Sequence, residues 1–138
     1  MNRPLIRVLV VDDDEDDFFI TKEIFDEMPV HNLSVEWAKN YQSGIDSYVN
    51  EKHDIYFVDY LLGAKTGIDF LIAAKESGVK NPIIMITGKG DQKVDKKAME
   101  YGAADYLVKS ELEAEKLERT MRYVLDRFIS NQKLAESE

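Results

Sequence analysis

The sequence has no cysteine and, among its 138 residues, only two histidines, three prolines and seven glycines. Without cysteine there can be no disulfide, no thiolate nucleophile and no cysteine-based zinc or iron–sulfur site. The small share of proline and glycine, with 44% hydrophobic residues, argues against a disordered or collagen-like chain. A run of about 18 apolar residues, which a membrane-spanning helix needs, is also absent. These absences leave about one globular domain, for which we expect a cytoplasmic location.

Positive charge is scarce as well, because 27 Asp and Glu residues outnumber 18 Lys and Arg residues and give a net charge of −9. Such a charge disfavours binding to nucleic acid or to an anionic membrane, since both require clustered basic side chains. Every residue from 12 to 17 is acidic, and this acidic block holds most of the excess. Adjacent like charges repel one another, so the block needs either open water or a bound cation.

The hydrophobic pattern alternates between strands and helices. Five short apolar runs predict strands at 5–11, 33–38, 55–58, 82–86 and 104–108. Helical periodicity predicts helices at 16–28, 41–51, 66–77, 91–101 and from about 111 onward. Ile20, Ile24 and Met28 form the predicted apolar stripe of the first helix. The alternation predicts one doubly wound α/β domain over residues 1–138, with a five-stranded parallel sheet, five helices and an extended C-terminal helix.

Polar side chains follow four of the predicted strands. Asp12 and Asp13 follow the first strand, Asp59 the third, Thr87 the fourth and Lys109 the fifth. Because the carboxyl ends of parallel strands meet at one edge of the sheet, we expect these side chains to converge there. Three converging carboxylates resist ionising together, and Mg²⁺ relieves this because it binds oxygen ligands. Asp59 stands alone after its strand and is the better candidate for a carboxylate nucleophile toward phosphorus.

Four segments of the sequence carry a family resemblance: VLVVDDDED at 8–16, FVDYLLGAKTG at 57–67, PIIMITG at 82–88 and GAADYLVKSEL at 102–112. Through them the chain resembles the receiver domains of two-component response regulators, and most of all the stand-alone, chemotaxis-regulator-like receivers. The resemblance implies the flavodoxin-like receiver fold and a signalling phosphoacceptor rather than an enzyme. The implied phosphoryl donor is a histidine kinase or a histidine phosphotransfer protein. Since no output domain follows, the expected output is contact with an unidentified downstream protein through the fourth and fifth helices.

The resemblance also implies a metal site and an acceptor. Asp59 would be phosphorylated, and Asp13 and Asp59 would bind Mg²⁺ directly together with the backbone carbonyl of Leu61. Asp12 would hold a metal-bound water. These roles follow from the family pattern and not from the spacing of the residues.

Three further residues receive switching roles from the same resemblance. Thr87 would move toward the phosphoryl group, Tyr106 would change rotamer with it, and Lys109 would pair with a phosphoryl oxygen. The sequence departs from the family at two places where proline is usual. Ser110 follows Lys109, which leaves the isomer of that peptide bond open, and Gly63 lies in the loop after Asp59, which predicts a more mobile loop.

Other functions fit parts of the acidic block. A calcium-binding loop starting at Asp12 would need glycine at its sixth position, where the chain has Asp17. A phosphohydrolase of the haloacid-dehalogenase type would use Asp12 as nucleophile and Asp14 as general acid and base. That chemistry leaves Asp59 without a role, and 138 residues leave no room for a cap domain. A third alternative is a receiver fold that acts as an interaction module without being phosphorylated.

Two surfaces are candidates for partners. The predicted fourth helix and the loop before it carry the basic cluster of the chain, Lys89, Lys93, Lys96 and Lys97. This cluster is either a solvated face or a partner surface on a weakly buried helix. The last helix runs beyond what the sheet can cover, with apolar residues Phe128, Ile129 and Leu134. These residues either pair two chains into a homodimer or end the helix without a partner.

Overall fold

A computed structural model describes residues 5–28, 32–88 and 92–137, and the strands of its main sheet alternate with helices there. In chain order the elements are β1 (Ile6–Val11), α1 (Glu15–Asp26), β2 (Leu33–Ala38), α2 (Tyr41–Val49), β3 (Ile55–Asp59), β4 (Leu61–Leu62), β5 (Lys65–Thr66), α3 (Gly67–Ser77), β6 (Ile83–Thr87), α4 (Gln92–Glu100), β7 (Asp105–Val108) and α5 (Ala114–Ser137). A 3₁₀ turn over Lys109–Glu111 joins β7 to α5.

One five-stranded sheet organises the domain, with the order β2-β1-β3-β6-β7 and every neighbouring pair parallel. This confirms the predicted doubly wound α/β fold of the flavodoxin-like type. Every residue of β3 and β6 is buried, as expected for central strands that are covered on both faces. The strand order reverses between β1 and β3, so the connections leave these strands in opposite directions and open a crevice at their carboxyl ends.

The two faces of the sheet carry separate hydrophobic cores. On one face α2, α3 and α4 pack around Tyr56, Phe70 and Met85. On the other face α1 and α5 pack around Phe25 and Phe57. Each large side chain that is fully buried in these cores contributes about 1.5–3 kcal/mol to folding. Because successive side chains of a strand point to opposite faces, membership of a core shows which helix layer a strand-end residue faces.

The predicted apolar stripe of the first helix is wrong in one respect. Ile20 is 57% exposed, whereas Phe18, Phe25 and Met28 are buried. The buried residues are spaced for one helical face, and the ring of Phe18 stacks on Trp37 of β2 with centroids 5.1 Å apart. This aromatic contact sets the rotation of α1 about its axis and turns Ile20 to the surface.

Two connections also differ from their predicted form. The loop after Asp59 contains the short antiparallel hairpin β4–β5, with Gly63 in the left-handed region at φ 67°. The last helix begins at Ala114 and not near residue 111, because the 3₁₀ turn comes first. None of the peptide bonds in the described ranges is cis, so the Lys109–Ser110 bond is trans.

The helix α5 is the longest element, with 24 residues and a length of about 36 Å. Its first half is anchored by Leu117, Met121 and Val124, which are buried. Its second half is mostly exposed, including Ile129 at 50%. None of the helices in the described part of the chain combines the length and the apolarity needed to cross a bilayer.

Candidate functional site

The carboxyl edge of the sheet gathers the residues that were predicted to converge. Asp12 follows β1, Asp59 is the last residue of β3, Thr87 is the last residue of β6, and Lys109 follows β7. The backbone pairing of β1 with β2 continues to this edge, since the N–H of Asp12 donates to the carbonyl of Ala38 at 3.1 Å. The strand geometry therefore places all four residues at the same edge of the sheet.

The two faces of the sheet divide these side chains. Asp12, Asp59 and Lys109 each come two residues after a member of the core under α1 and α5. The pleat therefore turns all three toward α1, where Asp17 lies in the first turn of the helix. Asp17 was not predicted as a site residue. The available signal was its place in the acidic block at a helix start, but its contact with Lys109 depends on tertiary packing.

An ionic cluster results on this face. The Lys109 ammonium lies 2.8 Å from Asp17 Oδ2, 3.3 Å from Asp59 Oδ2 and 3.5 Å from Asp12 Oδ2. Oxygen atoms of the three carboxylates lie within 4.8 Å of one another. One ammonium therefore serves three carboxylates, and the cluster keeps an excess of negative charge.

Burial changes the ionisation of this cluster. Burial raises the pKa of Asp12 to about 6, opposed by a hydrogen bond from the Asp14 N–H and assisted by the charge of Asp59. Burial also raises the pKa of Asp59, although Lys109 counteracts it. For Lys109 burial acts to lower the pKa, but the hydrogen bond to Asp17 and the charges of Asp59 and Asp12 raise it overall. The single ammonium of Lys109 does not balance the charge of the three carboxylates. A divalent cation would supply the missing positive charge.

Asp13 and Leu61 also act on Asp59. Asp13 is exposed, and its Oδ2 is 4.0 Å from where a Cβ would lie on Gly63 of the β4–β5 hairpin. Its charge raises the pKa of Asp59, whereas a hydrogen bond from the Leu61 backbone lowers it. The carboxylates of Asp13 and Asp59 are therefore close enough to influence one another, and carboxylate oxygens suit Mg²⁺. The acidic cluster of Asp12, Asp17 and Asp59 suits a divalent cation, and the ligand set of Asp13, Asp59 and the Leu61 carbonyl stays a prediction.

The acidic block does not act as one ligand set. Asp14 caps α1 by accepting a hydrogen bond from the Asp17 N–H at 3.1 Å. Glu15 and Asp16 are exposed in the first turn, where acidic side chains stabilise the positive end of a helix. Within the block, Asp12 and Asp17 belong to the cluster and Asp13 acts on Asp59. The other residues of the block stabilise the start of α1 and do not take part in the site.

Thr87 and Tyr106 face the opposite layer, toward α4. In the β6–β7 register Tyr106 lies opposite Met85, two residues before Thr87 on the same face. The Thr87 hydroxyl is buried and donates to the Leu107 carbonyl at 3.5 Å, a long hydrogen bond. Tyr106 is 37% exposed. The structure thus places both residues next to α4 and not inside the cluster around Lys109.

The helix α4 has a small buried face. Its buried side chains among the described residues are Asp95 and Ala98, and no hydrogen bond reaches Asp95 Oδ1. Lys96 and Lys97 of the predicted basic cluster are exposed, and Lys89 lies outside the described residues. A helix with so little apolar burial is held weakly against the sheet.

Comparison with known proteins places this arrangement in a family. A profile described as the response regulator receiver domain matches residues 8–122. The sensory transduction protein LytT of Bacillus subtilis (strain 168) is 29% identical over 122 residues, which are 86% of this chain and 47% of that protein. The response regulator ArlR of Staphylococcus haemolyticus (strain JCSC1435) is 28% identical over 123 residues, which are 89% of this chain and 54% of that protein. The chain spans about half the length of these curated relatives.

A solved structure agrees with the sequence comparisons. The crystal structure of a CheY-like response regulator receiver domain protein from Methanospirillum hungatei JF-1 matches with a TM-score of 0.78 and 25% identity. The match covers 93% of this chain and 99% of that one. Since the receiver profile spans most of the sequence, the chain belongs to the response regulator receiver domain family, the phosphoacceptor domains of two-component signalling.

Proposed function

We propose that Asp59 accepts a phosphoryl group from the phosphohistidine of a histidine kinase or a histidine phosphotransfer protein. The observation that carries this proposal is the position of Asp59 at the carboxyl edge of the sheet. Its side chain is mostly buried, lies 3.3 Å from the Lys109 ammonium and has Asp12 and Asp13 close by. Asp59 also accepts a hydrogen bond from the Lys109 ammonium.

The proposed transfer uses Asp59 and Lys109 at this edge, the phosphohistidine of the donor, and Mg²⁺. An Asp59 carboxylate oxygen attacks phosphorus, the phosphorus–nitrogen bond of the phosphohistidine breaks, and its electron pair stays on the imidazole nitrogen. Lys109 pairs with a phosphoryl oxygen and offsets the charge that the product carries. Mg²⁺ held by Asp13, Asp59 and the Leu61 carbonyl, with Asp12 binding through water, would neutralise further phosphoryl oxygens. In hydrolysis water attacks phosphorus and the electron pair returns to the carboxylate.

The surface around the acceptor supports a protein as the donor. Phe19 and Ile20 of α1 are 52% and 57% exposed, and Leu61 of β4 is 63% exposed. Large exposed apolar side chains that surround a polar centre are typical of protein interfaces. A small-molecule donor would not need them.

For the output we propose a protein contact at α4 and α5. Thr87 holds the Leu107 carbonyl by a long hydrogen bond, so attraction to the phosphoryl group would draw its hydroxyl away at little cost. Tyr106 lies beside it on the same face and would take up the space that Thr87 leaves. The helix α4 packs on this face and would shift with them, and residues 1–138 would act as one receiver domain.

Pairing of two chains through α5 stays a prediction. The exposed half of this helix presents Ile129, and Tyr123 is 61% exposed. We expect light scattering to give the mass of two chains if this surface pairs, and a loss of pairing in Ile129→Glu. A single-chain mass before and after phosphorylation would contradict the homodimer.

The test of the acceptor is phosphorylation with phosphoramidate and Mg²⁺, with the label located by peptide mass spectrometry. We expect one phosphoryl group on Asp59 in the wild type, none in Asp59→Asn, and unchanged labelling in Asp26→Asn, an exposed control on α1. Label on Asp12 would instead support the hydrolase chemistry. A folded wild-type protein that takes no label from phosphoramidate or from a histidine kinase would support the unphosphorylated interaction module.

A further inference from the structure

The Lys109 ammonium lies closest to a carboxylate that has no part in the proposed transfer. It is 2.8 Å from Asp17 Oδ2 but 3.3 Å from Asp59 Oδ2. The Asp17 side chain is 36% exposed, against 10% for that of Asp59. The shortest ion pair of Lys109 in the cluster is therefore with a carboxylate that is more exposed than the acceptor.

The fold fixes Asp17 in this position. Its N–H donates to the Asp14 cap, so its backbone belongs to the first turn of α1. The next residue, Phe18, is buried and stacks on Trp37, whose indole N–H donates to the Asp12 carbonyl at 2.7 Å. Asp17 is thereby tied to the same strand end that carries Asp12. Its contact with Lys109 is a property of the packed core and not of a freely moving surface side chain.

We propose that Asp17 is a positioning residue that competes with Asp59 for the Lys109 ammonium and so restrains phosphorylation. This inference rests on the proposed function of Asp59. A phosphoryl group on Asp59 brings a charge of about −1.5 to −2. Lys109 must then pair with the phosphoryl group, and each carboxylate that also binds the ammonium opposes this change of partner. The negative charge of Asp17 at the rim also repels an anionic donor as it enters.

The proposal predicts a particular kinetic pattern. Asp17→Asn keeps the shape of the side chain and the backbone N–H that bonds to the Asp14 cap, but removes the charge. We expect the KM for phosphoramidate to fall about threefold to tenfold, the effect of one partly exposed ion pair, while kcat changes less than about twofold. Asp17→Glu restores the charge and should return the KM to near the wild-type value.

A matched control separates this contact from net charge. Asp16→Asn makes the same charge change one residue earlier, on an exposed side chain that does not contact the cluster. We expect its KM to stay within about 1.5-fold of the wild-type value, because exposed charges are well screened. Both variants are compared with the wild type at equal Mg²⁺ and ionic strength, with folding confirmed by circular dichroism.

A second measurement does not depend on turnover. Beryllofluoride mimics a phosphoryl group on a carboxylate, and its binding can be followed through Trp37, the one tryptophan of the chain, because Trp37 bonds to Asp12. We expect Asp17→Asn to bind beryllofluoride about threefold to tenfold more tightly than the wild type does. Asp16→Asn should bind it as the wild type does.

The outcomes separate this inference from the function on which it rests. Absence of label on Asp59 in the wild type overturns the proposed function. Normal labelling of wild-type Asp59, with equal KM and beryllofluoride affinity in Asp17→Asn, overturns the role of Asp17 alone. A higher KM or weaker beryllofluoride binding in Asp17→Asn also overturns it, because Asp17 would then help Lys109 to reach the phosphoryl group.

Discussion

The two faces of the sheet differ sharply at its carboxyl edge. On the face covered by α1 and α5, Lys109 is held by three carboxylates at 2.8–3.5 Å. On the face covered by α4, Thr87 makes one hydrogen bond of 3.5 Å and Tyr106 is partly exposed. The groups proposed to react are thus fixed by strong ionic contacts, whereas the groups proposed to transmit the signal are held loosely. Tight positioning favours group transfer, and weak attachment favours movement.

Loss of the Lys109 charge should have the largest effect on stability. In Lys109→Gln the three carboxylates lose the ammonium they share, and we expect the free energy of unfolding at pH 7 without divalent cations to fall by about 3 kcal/mol. Urea unfolding followed by circular dichroism measures this. The control is Lys116→Gln, whose 3.9 Å pair with Glu111 is exposed and should contribute less than about 0.5 kcal/mol. Equal losses in the two variants would contradict the special role of the cluster.

The pH dependence of stability should report the same face. Burial raises the pKa of Asp12 to about 6. Between the ordinary carboxyl range and pH 6 the folded protein therefore binds more protons than the unfolded chain, so stability falls as the pH rises through this window. The expected loss from Asp12 is on the order of 2 kcal/mol. Urea unfolding from pH 4 to pH 7 without divalent cations should show it, and Asp12→Asn should flatten the slope where Asp126→Asn does not.

On the loosely held face, Asp95→Ala should stabilise the protein. The buried Asp95 Oδ1 has no hydrogen-bond partner, and the cost of burying it outweighs the small benefit of an acidic side chain in the first turn of α4. We expect a gain of about 1 kcal/mol in the free energy of unfolding and slower amide exchange in α4. Asp126→Ala on exposed α5 serves as the control and should change stability by less than about 0.5 kcal/mol. Destabilisation by Asp95→Ala would show that this carboxylate supports α4.

The smallest effect on stability is expected at Thr87. Thr87→Val removes a hydroxyl whose hydrogen bond is long, so the free energy of unfolding should change by less than about 0.5 kcal/mol. Phosphoramidate should still label Asp59, but the phosphorylation-dependent change in amide exchange of α4 should disappear. The comparison is Thr21→Val, a buried threonine of α1 far from α4. If α4 responds equally in both variants, transmission through Thr87 is wrong.

Most of the fold could be predicted from the sequence, because continuous apolar runs such as 55–58 allow few structures other than a doubly covered strand. The hairpin β4–β5 could not, since strands of two residues carry no periodic pattern. The predicted stripe of α1 includes Ile20 because Ile20, Ile24 and Met28 are spaced four residues apart. The stacking of Phe18 on Trp37, which the spacing does not reveal, places Phe18 on the buried face instead.

The candidate site could be predicted where strand ends define it and not where helices reach into it. Asp12, Asp59 and Lys109 follow their strands directly, so a parallel sheet brings them together. The division between the two faces follows from the pleat, once the register of each strand is known. Asp17 could not be assigned, because its contact with Lys109 joins residues 92 positions apart through the packing of α1 on the sheet.

The length of α5 has a mechanical consequence. The helix is clamped to the sheet as far as Val124, and about 20 Å of it continues to Ser137. A rigid rod that pivots at the clamp works as a lever, so a tilt of about 5° moves its free end by roughly 2 Å. Lys109 begins the 3₁₀ turn that leads into this helix, so small displacements at the carboxyl edge are transmitted along the helix to its free end. A binding protein at that end could sense the state of Asp59 without approaching it.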